Sequence, residues 1–441
     1  MRSSMTWCLP ARRLRAAALL AAAGAAGLLS TPAAAQLPMT PRALGMGGAY
    51  LGAARGQEAL FLNPANLALP GTPRWSVALA QVGLQATLLG LSFDDLADLA
   101  DYHDLADARR DALFAKLPAS GTEVRYDLRL PLAALQVGRV AVGVAYSSLG
   151  EHNVSKDLAE LFLYGYEEGR LDYDVRDTEG RYLTFYDVAL AVGGRAGPLR
   201  WGVAGHYLRG GSLVRSWMAE PRYDLAARDV EARYVAVSSR GGHGVALDVG
   251  AALQPTQALT LSAALANAFA TLRWSDELYL RELVLDKTDL ETAGREDLLE
   301  RYEDSERRLS PADSALVRGL TAARLQEGAV PPTQFRLGAG WQATRSTHLG
   351  ALYQVALTDG DLAGHWQRMV GAGVEQALWI LRLRAGVAGN FSGGSLLGGG
   401  LSLGPLHLGL ARLDDGARAG GERNGWMATF GVATRTRATL P

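Results

Sequence analysis

From Arg74 to the C-terminus the chain alternates apolar residues with small or polar ones, and this period of two restricts its fold more than any other feature. Between Leu199 and Tyr207 one side reads Leu199, Trp201, Val203, Gly205, Tyr207, and the other reads Arg200, Gly202, Ala204, His206. Leu381, Leu383, Ala385 and Val387 alternate in the same way with Arg382, Arg384, Gly386 and Ala388. Successive side chains of a strand point to opposite faces, so these segments are strands with one apolar face. A soluble sandwich buries that face and turns Lys, Glu and Thr outward. Here the second face is mostly Gly, Ala, Ser and Thr, which suits a lumen, while Trp201 and Tyr207 sit near strand ends like interfacial girdles. The fold class expected is all-β: a closed antiparallel transmembrane β-barrel.

Fourteen strands are predicted, near 74–86, 122–135, 139–152, 180–193, 199–212, 243–254, 258–271, 333–344, 347–358, 366–376, 380–391, 395–403, 406–414 and 425–437. Connections after even-numbered strands are short, such as Arg345-Ser346 and Gly404-Pro405, whereas most of the others are long. Tight turns at one end and long loops at the other are what a bacterial outer-membrane barrel shows. An additional hairpin is expected within Tyr223 to Ser239. Three loops read as partly helical: Asp94 to Leu117, Ser155 to Gly165, and Ser275 to Gly328. Within the last, Asp276 to Arg308 holds twelve acids and six Arg or Lys residues, a solvated charged block with no EF-hand spacing.

The first 35 residues carry Arg2, Arg12, Arg13 and Arg15, an apolar run from Ala16 to Leu29, and Ala33-Ala34-Ala35, the order of a secretory signal peptide. Its removal takes the only cysteine, Cys8, and lowers the basic total from 44 to 40 against 45 acids, a net charge near −5. Thiol chemistry and nucleic-acid binding are therefore not expected. No stretch of eighteen apolar residues follows that would make a membrane helix.

Residues 36–73 form a separate unit before the strands, which are expected to occupy 74–437. The segment "GMGGAYLGAARGQEALFLNPANLA" is too apolar for a free tail and too rich in glycine for a regular helix. Gly45, Gly47 and Gly48 permit positive φ and close backbone approach. Asn63 caps a turn with Pro64 at its first position, and Ala65 keeps the packing tight. This order of features resembles the amino-terminal plug of the FadL family, outer-membrane transporters of long-chain fatty acids and other hydrophobic compounds, and that of PorV-type barrels of type IX secretion. The resemblance implies a fourteen-stranded barrel with a hatch in its lumen.

It further implies passive uptake of hydrophobic, fatty-acid-like molecules across the bacterial outer membrane, with outer-membrane lipid as surroundings. The alternative is a PorV-like anchor or secretion accessory that binds a cell-surface protein through loop 275–328. By parity Asp187, Arg200, His206, Arg336, Arg382 and Arg384 face the lumen, where plug-to-wall salt bridges are expected of Arg336, Arg382, Arg384 and Asp187, and a lumen network of His206 near Arg200. An Arg on the lipid face would cost about 2–4 kcal/mol at mid-depth. The Gly-rich run Leu396 to Gly404 either marks weakened strand pairing or relieves crowding inside the barrel. No cofactor or metal is expected: His103, His152, His206, His243, His348, His365 and His407 show no ligand spacing. Ser147 and Ser148 lack a G-x-S-x-G elbow, and Gly45-Met46-Gly47-Gly48 follows no strand, so neither a hydrolase nor a nucleotide site is indicated.

Overall fold

The computed structural model describes residues 40–436, apart from 93–94, 96–104, 165–172, 225–228, 286–294, 359–367, 392 and 415–422. The predicted signal peptide, His103 and His365 lie outside the described residues. Among the described residues there are sixteen strands: β1 (Trp75–Leu89), β2 (Thr122–Val137), β3 (Val140–Val154), β4 (Glu179–Ala196), β5 (Leu199–Asp224), β6 (Asp229–Leu253), β7 (Leu259–Trp274), β8 (Leu278–Leu285), β9 (Arg307–Arg308), β10 (Gln334–Gln342), β11 (Thr347–Ala356), β12 (Arg368–Leu378), β13 (Leu381–Asn390), β14 (Ser395–Leu403), β15 (Leu406–Asp414) and β16 (Arg423–Arg435). Each ring strand pairs antiparallel with its neighbours. β1 meets both β2 and β16, and β7 meets β10, so β1–β7 and β10–β16 close into a ring of fourteen. Closure leaves no unpaired edge, which is what lets a sheet cross hydrocarbon.

The short connections hold. Gly138, Gly197 and Gly404 take φ of 58°, 60° and 56° in three of them, the left-handed region that tight turns demand. At the other end β5 and β6 outrun the prediction. Their ladder runs from Leu199–Leu253 to Asp224–Asp229, and the hairpin expected within Tyr223 to Ser239 is the tip of this one pair. β8 adds to the far part of β6, from Leu278–Ser239 to Leu285–Ala232, and β9 adds to β8. Loop 275–328 is thus part strand as well as part helix (Arg295–Asp304 and Ala322–Gln326). The period-two stretch Leu278 to Leu285 was hidden by the acids around it.

The apolar faces look outward and are bare. Tyr186, Val188, Leu190 and Val192 on β4, Trp201, Val203 and Tyr207 on β5, and Leu406, Leu408 and Leu410 on β15 are all exposed, Leu190 at 59%. Among the described residues no second protein layer covers them, and the sheet closes into a ring rather than a sandwich. An apolar band of this extent is stable only against a nonaqueous neighbour.

At the long-loop end, helix Asp107–Lys116 packs Leu113 with Leu91 and Leu117. Asp95 fixes its position by accepting from Lys116 Nζ (2.7 Å), Arg109 Nη2 (3.1 Å) and the backbone and hydroxyl of Ser92 (both 2.8 Å). Burial alone would raise the Asp95 pKa, but the bonds from Lys116 and Ser92 outweigh it and hold it down to about 2. A carboxylate whose folded pKa is depressed stabilises above its ordinary pKa and loses that contribution as pH falls through the depressed value. Proteolysis of the segment around residue 107 is therefore expected to accelerate between about pH 4 and pH 2. In Asp95→Asn it should be fast already at neutral pH and flat across that window. A wild-type rate independent of acid would show that the ion pair does not hold the loop.

Candidate functional site

The ring is filled. Thr40 caps the short helix Pro41–Gly45 by accepting from Ala43 N at 3.2 Å, and the chain then turns through Gly47 and Gly48 at φ of 61° and 82°. It continues through helix Ala59–Leu62 to Asn63, whose Oδ1 accepts from Ala65 N at 3.0 Å and starts the 3₁₀ turn Pro64–Ala68. Asn63 Nδ2 donates to the wall carbonyls of Ala251 (3.2 Å) and Ala263 (3.1 Å). Asn66 Nδ2 donates to Leu51 O at 2.7 Å, and its Oδ1 accepts from Ser262 Oγ at 2.9 Å.

The wall meets this segment with glycine on strand after strand. A Cβ on Gly202 would lie 2.2 Å from the Pro64 carbonyl carbon, one on Gly250 1.9 Å from Asn63 Oδ1, and one on Gly350 1.8 Å from Ala49 O. One on Gly386 would lie 2.0 Å from the Met46 carbonyl carbon, and one on Gly398 2.3 Å from Leu44 O. Gly45 in turn lies against Gly400, and Gly47 against the Val387 backbone. Backbone packs on backbone around the ring. Gly399, between two of these positions, faces open space. β14 keeps unbroken ladders on both sides, so the run Leu396 to Gly404 does not weaken pairing, and Gly398 and Gly400 within it serve close packing.

A buried polar chain ties the segment to one wall. Arg42 donates to Glu58 Oε2 (3.1 Å) and Tyr50 Oη (3.3 Å), and Tyr50 donates to the same carboxylate at 3.0 Å. Arg42 Nη2 lies 3.4 Å from His407 Nε2, and His407 Nδ1 lies 2.6 Å from Ser402 Oγ. Arg384 donates to Ser402 (2.7 Å) and to Glu375 Oε2 (2.7 Å), and Arg382 donates to Glu375 Oε1 (2.7 Å). On the opposite wall His206 stands between Asp187 (3.0 Å) and Asp248 (3.3 Å), and Asp248 accepts from Asn267 N in the bulge of β7.

These contacts redraw the roles assigned from parity. Arg382, Arg384 and Asp187 bridge wall to wall, not segment to wall. Arg336 does reach the segment, but through a hydrogen bond to Phe61 O at 3.1 Å. Arg200 binds Gly197 O at 2.9 Å in its own turn and takes no part in the His206 cluster. Arg42, Glu58, Glu375, Asp248 and Asn66 were not singled out in the sequence. For the four charged residues, a charge inside an otherwise apolar segment or on a Gly-rich inner face was the available signal.

The β1–β2 seam of the wall is interrupted. β1 and β2 pair at Leu79–Ala133 and again at Gly83–Arg129, but residues 80–82 and 130–132 form no pairs with each other. Ala80 is a bulge at φ 49°, next to the β1–β16 register shift, and β2 bulges between Pro131 and Ala133. Pro131 lacks the N–H a ladder needs. Above the filled part, the lumen on the β4–β8 side is closed by an apolar cluster in which Phe185, Trp217 and Trp274 meet Val317 and Leu325 of the following loop.

No family model and no curated protein matches the chain. Solved structures do. The Pseudomonas putida toluene transporter TodX aligns over 91% of this chain and 99% of its own, at 12% identity and a TM-score of 0.50. The Ralstonia pickettii toluene transporter TbuX aligns over 90% and 98%, at 15% identity and a TM-score of 0.49. A Pseudomonas aeruginosa FadL homologue aligns over 92% and 100%, at 13% identity and a TM-score of 0.49. Identity this low establishes architecture alone: in fold, this chain is a fourteen-stranded barrel similar to TodX.

Proposed function

We propose that the chain is an outer-membrane channel for passive uptake of hydrophobic small molecules, with residues 36–73 as its plug. The observation that carries this reading is the pairing of a lumen packed backbone to backbone with a side wall interrupted between β1 and β2. A packed lumen stops water and polar solutes from crossing straight through. An interruption facing the apolar band offers an apolar solute a sideways exit into the bilayer, where partitioning favours it by about 25 cal/mol per Å² of apolar surface. The exposed band supports the outer-membrane address, and the likeness in fold to TodX, a toluene transporter, agrees with the ligand class.

The test is uptake by cells lacking and expressing the protein, with a radiolabelled long-chain fatty acid, toluene and a hydrophilic disaccharide. Expression is expected to accelerate at least one apolar compound several-fold and leave the disaccharide unchanged. Equal acceleration of all three, or of none, would remove the channel reading.

The wing of β5, β6, β8 and β9 favours a second reading, a surface anchor for a protein partner. It stands beyond the ring and carries the charged block. Deleting 275–328 separates the two: loss of a surface-attached protein with intact uptake supports the anchor, and the reverse supports the channel.

A further inference from the structure

A groove of about 440 Å³ lies on the outer face of the sheet formed by β2–β6 and β8. Parity fixes the side: on β4 its residues Gly180 and Tyr182 share the face of the exposed Tyr186, Val188 and Leu190, with no register break against β3 between them. Tyr182 stands four residues beyond Tyr186, ~13 Å along the strand at ~3.3 Å per residue. Tyr186, Tyr207 and Tyr146 form the aromatic rim of the apolar band, with Tyr146 and Tyr186 5.0 Å apart. The groove thus opens just beyond the hydrocarbon, at the depth of lipid headgroups.

Its lining is aromatic and basic. Glycine flattens the floor: a Cβ on Gly150 would lie 2.2 Å from the Tyr126 ring, and one on Gly180 2.3 Å from His152 Nδ1. Tyr126 neighbours Tyr182 at 6.3 Å between ring centres, and His152, Tyr234 and Tyr302 form a row at 6.1 and 5.9 Å. Arg281 lies 5.5 Å over Tyr302, and Arg240 lies 4.9 Å over Tyr279. Both arginines share one carboxylate, Glu306, which neutralises one of the two charges. Flat aromatic faces attract the polarised C–H groups of sugar rings, and paired guanidinium groups match phosphate oxygens.

We propose that this groove binds the phosphorylated saccharide headgroup of a glycolipid in the surrounding leaflet. Basic pockets at headgroup level are a recurrent way of holding anionic lipids. The phosphate engages Arg240 and Arg281 beside Glu306, and the sugar lies on Tyr182 and Tyr234. The proposal rests on the outer-membrane reading but not on uptake, and it concerns a site outside the ring.

The test is native mass spectrometry of the detergent-purified full chain titrated with lipid A, with lipid A stripped of phosphate, and with inorganic phosphate. Lipid A is expected to bind at least tenfold more tightly than its stripped form. Arg240→Gln/Arg281→Gln should lose that preference, Tyr234→Leu should weaken both glycolipids, and Arg345→Gln at a short turn should change nothing. Equal binding of both glycolipids by the wild type overturns the proposal without reference to any variant. So does equal binding of lipid A by the double variant, with its folding confirmed by heat-dependent gel mobility. Displacement of lipid A by millimolar inorganic phosphate would assign the groove to a soluble anion and also overturn it. None of these outcomes bears on the uptake assay, so the two readings fail separately.

Discussion

Gly386→Leu is expected to turn a tight barrel into a leaky one. The new Cβ would sit 2.0 Å from the Met46 carbonyl carbon and 2.4 Å from Gly47 N, and both obstacles are backbone. Overpacking a core costs about 1–3 kcal/mol when side chains can give way; here the whole N-terminal segment must lift. β-sheet pairing is untouched, since leucine is tolerated in strands better than glycine. The barrel should therefore assemble, show ion conductance in planar bilayers many times that of the wild type, and lose its N-terminal segment to protease. Gly399→Leu, thirteen residues on and facing open space, should behave as wild type. A sealed Gly386→Leu channel would mean that residues 40–72 do not block the lumen.

Removing Ala80 and Leu132 together is expected to abolish uptake without opening a leak. Each is the extra residue of a bulge, so deletion keeps inward and outward faces in phase on both sides. Gln81 then falls opposite Pro131 and Val82 opposite Leu130, which joins the two blocks of β1–β2 pairs; the same cuts join the interrupted β1–β16 and β2–β3 ladders. It also relieves a non-glycine residue at φ 49°, a strain of about 1–3 kcal/mol. The deletion variant should melt no lower than wild type while apolar uptake falls at least tenfold. Undiminished uptake would place the exit elsewhere.

How far the sequence discloses this molecule depends on the range of the interaction that decides each feature. Strands follow from alternation, a property of neighbours, and all fourteen ring strands fall within a few residues of expectation except the far ends of β5 and β6. Those end where a hairpin partner ends and not where hydrocarbon does, so hydropathy is silent about them. Parity gives a side chain's face but not its partner: Arg384 finds Glu375 one strand away, and Arg336 finds a carbonyl of the N-terminal segment. The positive φ of Ala80 leaves no compositional trace, because glycine, the usual marker, is absent there. The wall glycines were visible as a surplus, 52 in 441 residues, but their purpose emerges only when the inner tenant is seen.

That tenancy constrains the order of assembly. Asn63 is bonded to carbonyls of β6 and β7, Asn66 to Ser262, and Arg42 lies against β15, while the last joint of the cylinder is made between β1 and β16, more than three hundred residues apart in the chain. An object fitted to its container without clearance cannot be inserted once the container is shut. The segment from Thr40 to Thr72 must therefore be in place before β1 and β16 join, and then be enclosed by them like a core cast inside its mould.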